Sequence, residues 1–174
     1  MGYAIVLIGV NTAIFLLGAL IHGSTYVGIN PQDQWPAVQI LQVISVVPMC
    51  LISMRLLLLT EDPRKWSQDL LPNWIAGTGF LLAAYAFFAL VIFNEGGQPA
   101  ILFDGTLVLE GKSQHIIRIL TQAEYDHLRI SGQRVFSAFF LLISWISVGL
   151  AVMRLRLLAR KPRPGLQPEP LVTR

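Results

Sequence analysis

Residues 135–153, VFSAFFLLISWISVGLAVM, carry no formal charge and stand between Arg134 and Arg154. Wound as an α-helix the stretch rises about 28 Å, close to the ~30 Å hydrocarbon thickness of a bilayer. It therefore reads as a membrane span with a cation at each end. Three further runs of similar length and character lie upstream, at residues 3–22, 37–59 and 74–93. Of 174 residues, 54% are hydrophobic and 13% charged, and the mean hydropathy is +0.60. That balance lies outside the usual range of one water-soluble domain. The expected fold class is an all-α polytopic membrane protein: a four-transmembrane-helix bundle in residues 1–160, followed by a Pro-rich tail at 161–174.

The first run begins with no basic segment before it and no small-residue cleavage site before His22, so it reads as an uncleaved span. Pro36 opens the second run, where a missing amide is harmless, and Pro48 near its middle predicts a kink. The net charge of +3 comes from basic residues that flank the runs, which is a topology signal and not a nucleic-acid footprint. Residues after the fourth run include Arg154, Arg156, Arg160, Lys161 and Arg163, and the second connection holds Arg64 and Lys65. Residues 23–34 hold no Lys or Arg. The excess of positive charge on the inner side then puts both termini in the cytoplasm. Trp35, Trp66 and Trp74 fall at the expected membrane edges.

Two stretches share a pattern at a constant offset of 99: Met54-Arg55-Leu56 with Pro63-Arg64, and Met153-Arg154-Leu155 with Pro162-Arg163. Either two helical hairpins arose by duplication, or apolar helices have converged on the same ending. The lone cysteine, Cys50, excludes an intrachain disulfide and reads as a small packing residue. The absence of disulfides fits a bacterial plasma membrane.

Residues 94–134 form the one non-membrane feature, an extracytoplasmic insertion too long and too patterned to be a bare linker. Residues 100–103, Asp104-Gly105 and residues 106–109 read as a β-hairpin with a type I′ turn at Asp-Gly, and residues 115–120 as a third strand. Thr121-Gln-Ala-Glu124 matches a capping box and predicts a helix from about residue 122 that continues into the fourth span, with Gly132 as its weak point. The strands are apolar on both faces and need a cover. Ile101, Phe103, Leu107 and Leu109 are the expected partner-contact residues, with Asp104 and Gly105 holding the turn.

No catalytic set, cofactor motif or metal site is legible. None of His22, His115 and His127 lies mid-span, as axial haem ligands would. Glu124 and His127 have a helical metal-site spacing, with His115 and Asp126 as neighbours, but no second motif completes it. No ionisable residue sits at the centre of a span. Asn11, Tyr85, Ser144 and Ser147 are the polar residues that could line a path, and equally serve as interhelical hydrogen-bond partners.

The expected function is a non-enzymatic membrane subunit that contacts partners through the hairpin. The alternative is a homo-oligomeric small channel or transporter. The expected partners are the lipid bilayer and either other membrane subunits or further copies of this chain, with no nucleic acid and no cofactor.

Overall fold

The computed structural model describes residues 2–58, 71–93, 96–111 and 115–160. Its helices are α1 (Gly2–Ser24), a short α2 (Pro31–Gln34), α3 (Val38–Leu58), α4 (Asn73–Phe93) and α5 (Gln122–Arg160), with a 3-10 turn at Thr25–Val27. Between α4 and α5 lie strands β1 (Gln98–Ile101), β2 (Leu107–Glu110) and β3 (Ile116–Ile119). Four helices, α1, α3, α4 and α5, are long and apolar enough to cross a membrane. The basic second connection with Trp66, and the Pro-rich tail, lie outside the described residues.

The arrangement is three helices around one. Helix α5 packs along α1, α3 and α4, while α1 and α3 touch each other more lightly. Half of the apolar window of α5 is buried, against 22%, 22% and 17% for α1, α3 and α4. Small residues let α4 approach α5 closely: Ala86, Ala89 and Ala138 are all buried, with Tyr85, Phe93 and Leu142 packed against them. Further along, Gly79 leaves room for Trp145, whose indole N–H donates to the Ile75 carbonyl at 3.0 Å. The same Trp145 ring meets Phe15 of α1 at 5.0 Å and Trp74 of α4 at 5.9 Å. The paired endings at offset 99 do not share an environment, because Arg154 is buried and Arg55 is exposed.

At 39 residues α5 is about 58 Å long, nearly twice what a bilayer core requires. Its first turns project beyond the other helices and carry the sheet. The start is capped as its sequence predicts: the Glu124 amide donates to Thr121 Oγ1 at 3.3 Å and the Thr121 amide to Glu124 Oε2 at 2.8 Å. The helix runs through Gly132 without interruption. Arg129 ties this projection to α2 through Asp33 at 2.6 Å.

The sheet is antiparallel in the order β1-β2-β3. Its hairpin differs from the expected one. The turn bond runs from the Gly105 amide to the Leu102 carbonyl at 2.9 Å, and Leu102 N donates to Thr106 O at 3.0 Å. Phe103, Asp104 and Gly105 thus form a three-residue loop with Gly105 alone beyond the turn's centre at φ +82°. The Asp104 carboxylate accepts from the Thr106 amide at 2.9 Å, which stabilises this longer loop and holds Asp104 below the usual carboxylate range. The paired strands are consequently displaced away from the turn, β1 by two residues from 100–103 and β2 by one from 106–109, with Ile101 opposite Leu107 and Gln98 opposite Glu110.

Entry into the sheet depends on Gly97. A methyl group there would lie 2.8 Å from the Glu110 carbonyl oxygen and 2.9 Å from Leu109 Cγ. Gly97→Ala is therefore expected to destabilise the β1–β2 pair by about 1–3 kcal/mol. Amide hydrogen exchange would show it as lost protection across β1 and β2 with the long helices unchanged; unchanged strand protection would contradict the tight approach.

Candidate functional site

The interior of the bundle is more polar than its surface. Going along α5 from the sheet end, Gln133, Ser137, Ser144, Ser147 and Arg154 are all buried, and Asn11 and His22 of α1 and Gln42 and Ser53 of α3 are buried with them. Asn11 Nδ2 donates to Ser53 Oγ at 3.3 Å and Gln39 Nε2 to Gln133 Oε1 at 2.9 Å. Ser144 and Ser147 donate back to their own helix, at Phe140 O and Ile143 O. The amide atoms of Gln42 and the Gln133 Nε2 have no hydrogen-bond partner among the described residues.

The richest cluster lies at the sheet end, where α1, α4 and α5 meet around His22. Its Nδ1 is 2.7 Å from Ser137 Oγ and its Nε2 is 2.5 Å from the Tyr85 hydroxyl. The Tyr85 hydroxyl is in turn 2.5 Å from that of Tyr26. Each ring of this set packs edge-on, with Tyr26 and Tyr85 at 5.3 and 5.5 Å from the imidazole centroid.

The proton positions follow from counting donors. Ser137 Oγ donates to the Gln133 carbonyl at 2.6 Å, and a carbonyl can only accept. With its single proton used, Ser137 must accept from His22, so Nδ1 carries the hydrogen. In the neutral ring Nε2 is then an acceptor, and Tyr85 must donate to it. Tyr85 has spent its own proton and so accepts from Tyr26. The chain has one direction: Tyr26 to Tyr85 to His22 to Ser137 to the Gln133 carbonyl.

Arg134 closes the cluster on its outer side. Its guanidinium lies 4.7 Å from the Tyr26 ring and 5.3 Å from the Phe93 ring, and Nη2 donates to the Thr25 carbonyl at 2.8 Å. Arg154 repeats the arrangement at the other end of α5, where Nε donates to the Tyr3 hydroxyl at 2.9 Å. The two arginines are twenty residues apart in one helix, a rise of about 30 Å that equals a bilayer's hydrocarbon thickness.

The residues singled out from the sequence divide between two places. Asn11 and Tyr85 both take part in interhelical hydrogen bonds, that of Asn11 buried and that of half-buried Tyr85 inside the His22 cluster. On the sheet, Leu109 is buried against Leu120 and Leu128, and Leu107 packs on that group, so both face the molecule's own helix. Ile101 and Phe103 are exposed. Glu124 is engaged by Thr121 and by Arg118 at 2.5 Å, and Asp126 accepts from Gln122. Among the described residues no three of His, Cys, Asp and Glu gather as a metal site. His22, Tyr26, Ser137 and Arg134 carry no local motif; only the rarity of such side chains beside apolar runs could have drawn attention to them.

An apolar groove of about 340 Å³ also lies between α4 and α5, lined by Ile75, Gly79, Trp145 and Gly149 among others. It offers no chemistry of its own. No protein-family model, curated protein or solved structure matches the chain.

Proposed function

We propose that this chain is a non-enzymatic integral membrane subunit of a larger membrane complex, and that an extended segment of a partner membrane protein docks on its three-stranded sheet. The observation that carries this reading is strand β3. All four of its side chains are exposed, Ile119 to 71%, and it forms an edge of the sheet. Strands β1 and β2 pack against α5, while β3 meets it through the Arg118–Glu124 ion pair. Ile101 on β1 and a fully exposed Phe103 in the hairpin loop add to the apolar side chains that the sheet leaves uncovered. Proteins usually blunt such an edge with charge, yet the one charge here, on Arg118, is drawn to Glu124. Addition of a partner strand would satisfy the edge, with the isoleucines giving specificity. In this reading the sheet is extracytoplasmic, the termini are cytoplasmic, and the membrane is a bacterial plasma membrane.

The test places a photo-crosslinking residue at Phe103 or Ile119, and a control at lipid-facing Leu20, in the native membrane. The same foreign chain captured from both sheet positions and not from the control supports the reading. Phe103→Asp and Ile119→Asp should each weaken that association by about 1–2 kcal/mol without impairing insertion. Lipid adducts alone would overturn it. Capture of a second copy instead would favour the homo-oligomeric channel or transporter, a reading supported by the polar interior running from Gln133 to Arg154.

A further inference from the structure

We propose that His22 is a proton-binding site filled from the sheet end of the bundle through the hydroxyls of Tyr26 and Tyr85. The imidazole itself is closed off, at 8% exposure, whereas Tyr26 is half exposed. Two hydrogen bonds, Tyr26 to Tyr85 and Tyr85 to His22, join them in one continuous chain. A proton arriving at the Tyr26 oxygen releases that residue's own hydroxyl proton to the Tyr85 oxygen, and Tyr85 releases its proton to His22 Nε2. Each hydroxyl ends with one proton and the reverse orientation, and the added charge resides on the imidazolium. No bond to carbon changes and no oxidant or co-reactant is required.

The far side of the ring determines that this is uptake and not conduction. His22 Nδ1–H faces Ser137, whose proton is held by the Gln133 carbonyl, and a carbonyl has no proton to pass on. The chain therefore has an entrance and no exit, which separates this site from the channel reading.

The groups around it come from every packed element. Tyr26 lies just beyond α1, Tyr85 comes from α4, and Arg134 from α5 stacks on Tyr26. From α3 the facing groups are uncharged. Asn11 contacts Ser53; eleven residues, or three turns, separate Asn11 from His22 and likewise Gln42 from Ser53. On antiparallel helices this puts Gln42 level with His22. No carboxylate of the described residues pairs with Arg134. Uptake thus sets a second cation beside Arg134, and the site would register acidity as a change in local charge.

The test is nitrogen NMR of the full chain, labelled at histidine, in lipid vesicles, with His22→Gln used to assign the signal and His115 and His127 as internal references. The expected spectrum at high pH is the tautomer with hydrogen on Nδ1 and a bare Nε2, converting to the doubly protonated ring on acidification. Tyr26→Phe keeps the ring under Arg134 and removes only the hydroxyl. It should leave the resting tautomer unchanged and slow proton exchange at Nε2 by about a hundredfold, the low end of what a positioned donor contributes. Hydrogen on Nε2 at high pH, no protonation of His22 through the acid range in which the chain stays folded, or unchanged exchange in Tyr26→Phe would each overturn the proposal.

Discussion

Replacing Ala138 with leucine is expected to cause a large loss of stability at the α4–α5 interface. Ala138 has no exposed surface and meets Ala86 and Ala89 across the α4–α5 crossing, where the close approach of two backbones leaves no space for a longer side chain. In a bilayer the helices are not driven together by the hydrophobic effect, since lipid tails are as apolar as leucine; close packing of small residues is what favours contact. Three added carbons at Ala138 would hold the helices apart, at a cost of about 1–3 kcal/mol from overpacking. The effect should reach beyond the crossing, because Tyr85 adjoins Ala86 and would be drawn from His22. Thermal unfolding in mild detergent, followed by size-exclusion recovery, measures the first consequence. Phe139→Leu, on the neighbouring exposed position, is the control and should change stability by less than about 0.5 kcal/mol. Equal unfolding temperatures for the two variants would remove the alanine crossing from its place in the packing argument.

Tyr85→Phe is the second large effect. The ring still fits, so packing is retained, but two polar groups lose their partner at once: His22 Nε2 no longer has a donor and the Tyr26 hydroxyl no longer has its acceptor. Tyr26 can turn towards solvent, whereas the buried imidazole nitrogen cannot. Leaving a buried acceptor unmade costs about 1–3 kcal/mol, more than the net worth of the hydrogen bond itself. A double-mutant comparison tests whether the cost comes from the orphaned nitrogen. Adding His22→Leu to Tyr85→Phe removes the orphaned nitrogen, so the double variant should be less destabilised than the sum of the two single changes. Strict additivity would show that the two side chains are not coupled, against the geometry of the cluster.

The legibility of the chain follows the range of the interactions involved. Spans were readable because length and the absence of charge are properties of a continuous segment, as in residues 135–153. The start of α5 was readable because a capping box closes within four residues, at Thr121 and Glu124. The hairpin's position was readable from Asp104-Gly105, but its loop was not. A three-residue loop with one αL glycine and a two-residue type I′ turn both accept Asp-Gly, and the choice depended on the Leu102–Thr106 pairing of the finished sheet. Leu109 and Ile101 look alike in sequence; which one is covered depends on how the sheet leans on α5.

By itself the sequence determined that four helices form, roughly where each begins, and that a small sheet sits between the last two, since each of these outcomes depends on nearby residues. Only the tertiary structure decided that α5 is the central helix and that His22 meets Ser137, 115 positions away, and Tyr85, 63 positions away. The physical reason is that span helices apolar on nearly every side carry no stripe that marks the inward face. Their rotation is set by where small residues permit close approach and where buried polar groups find partners, and both are properties of the assembled pair.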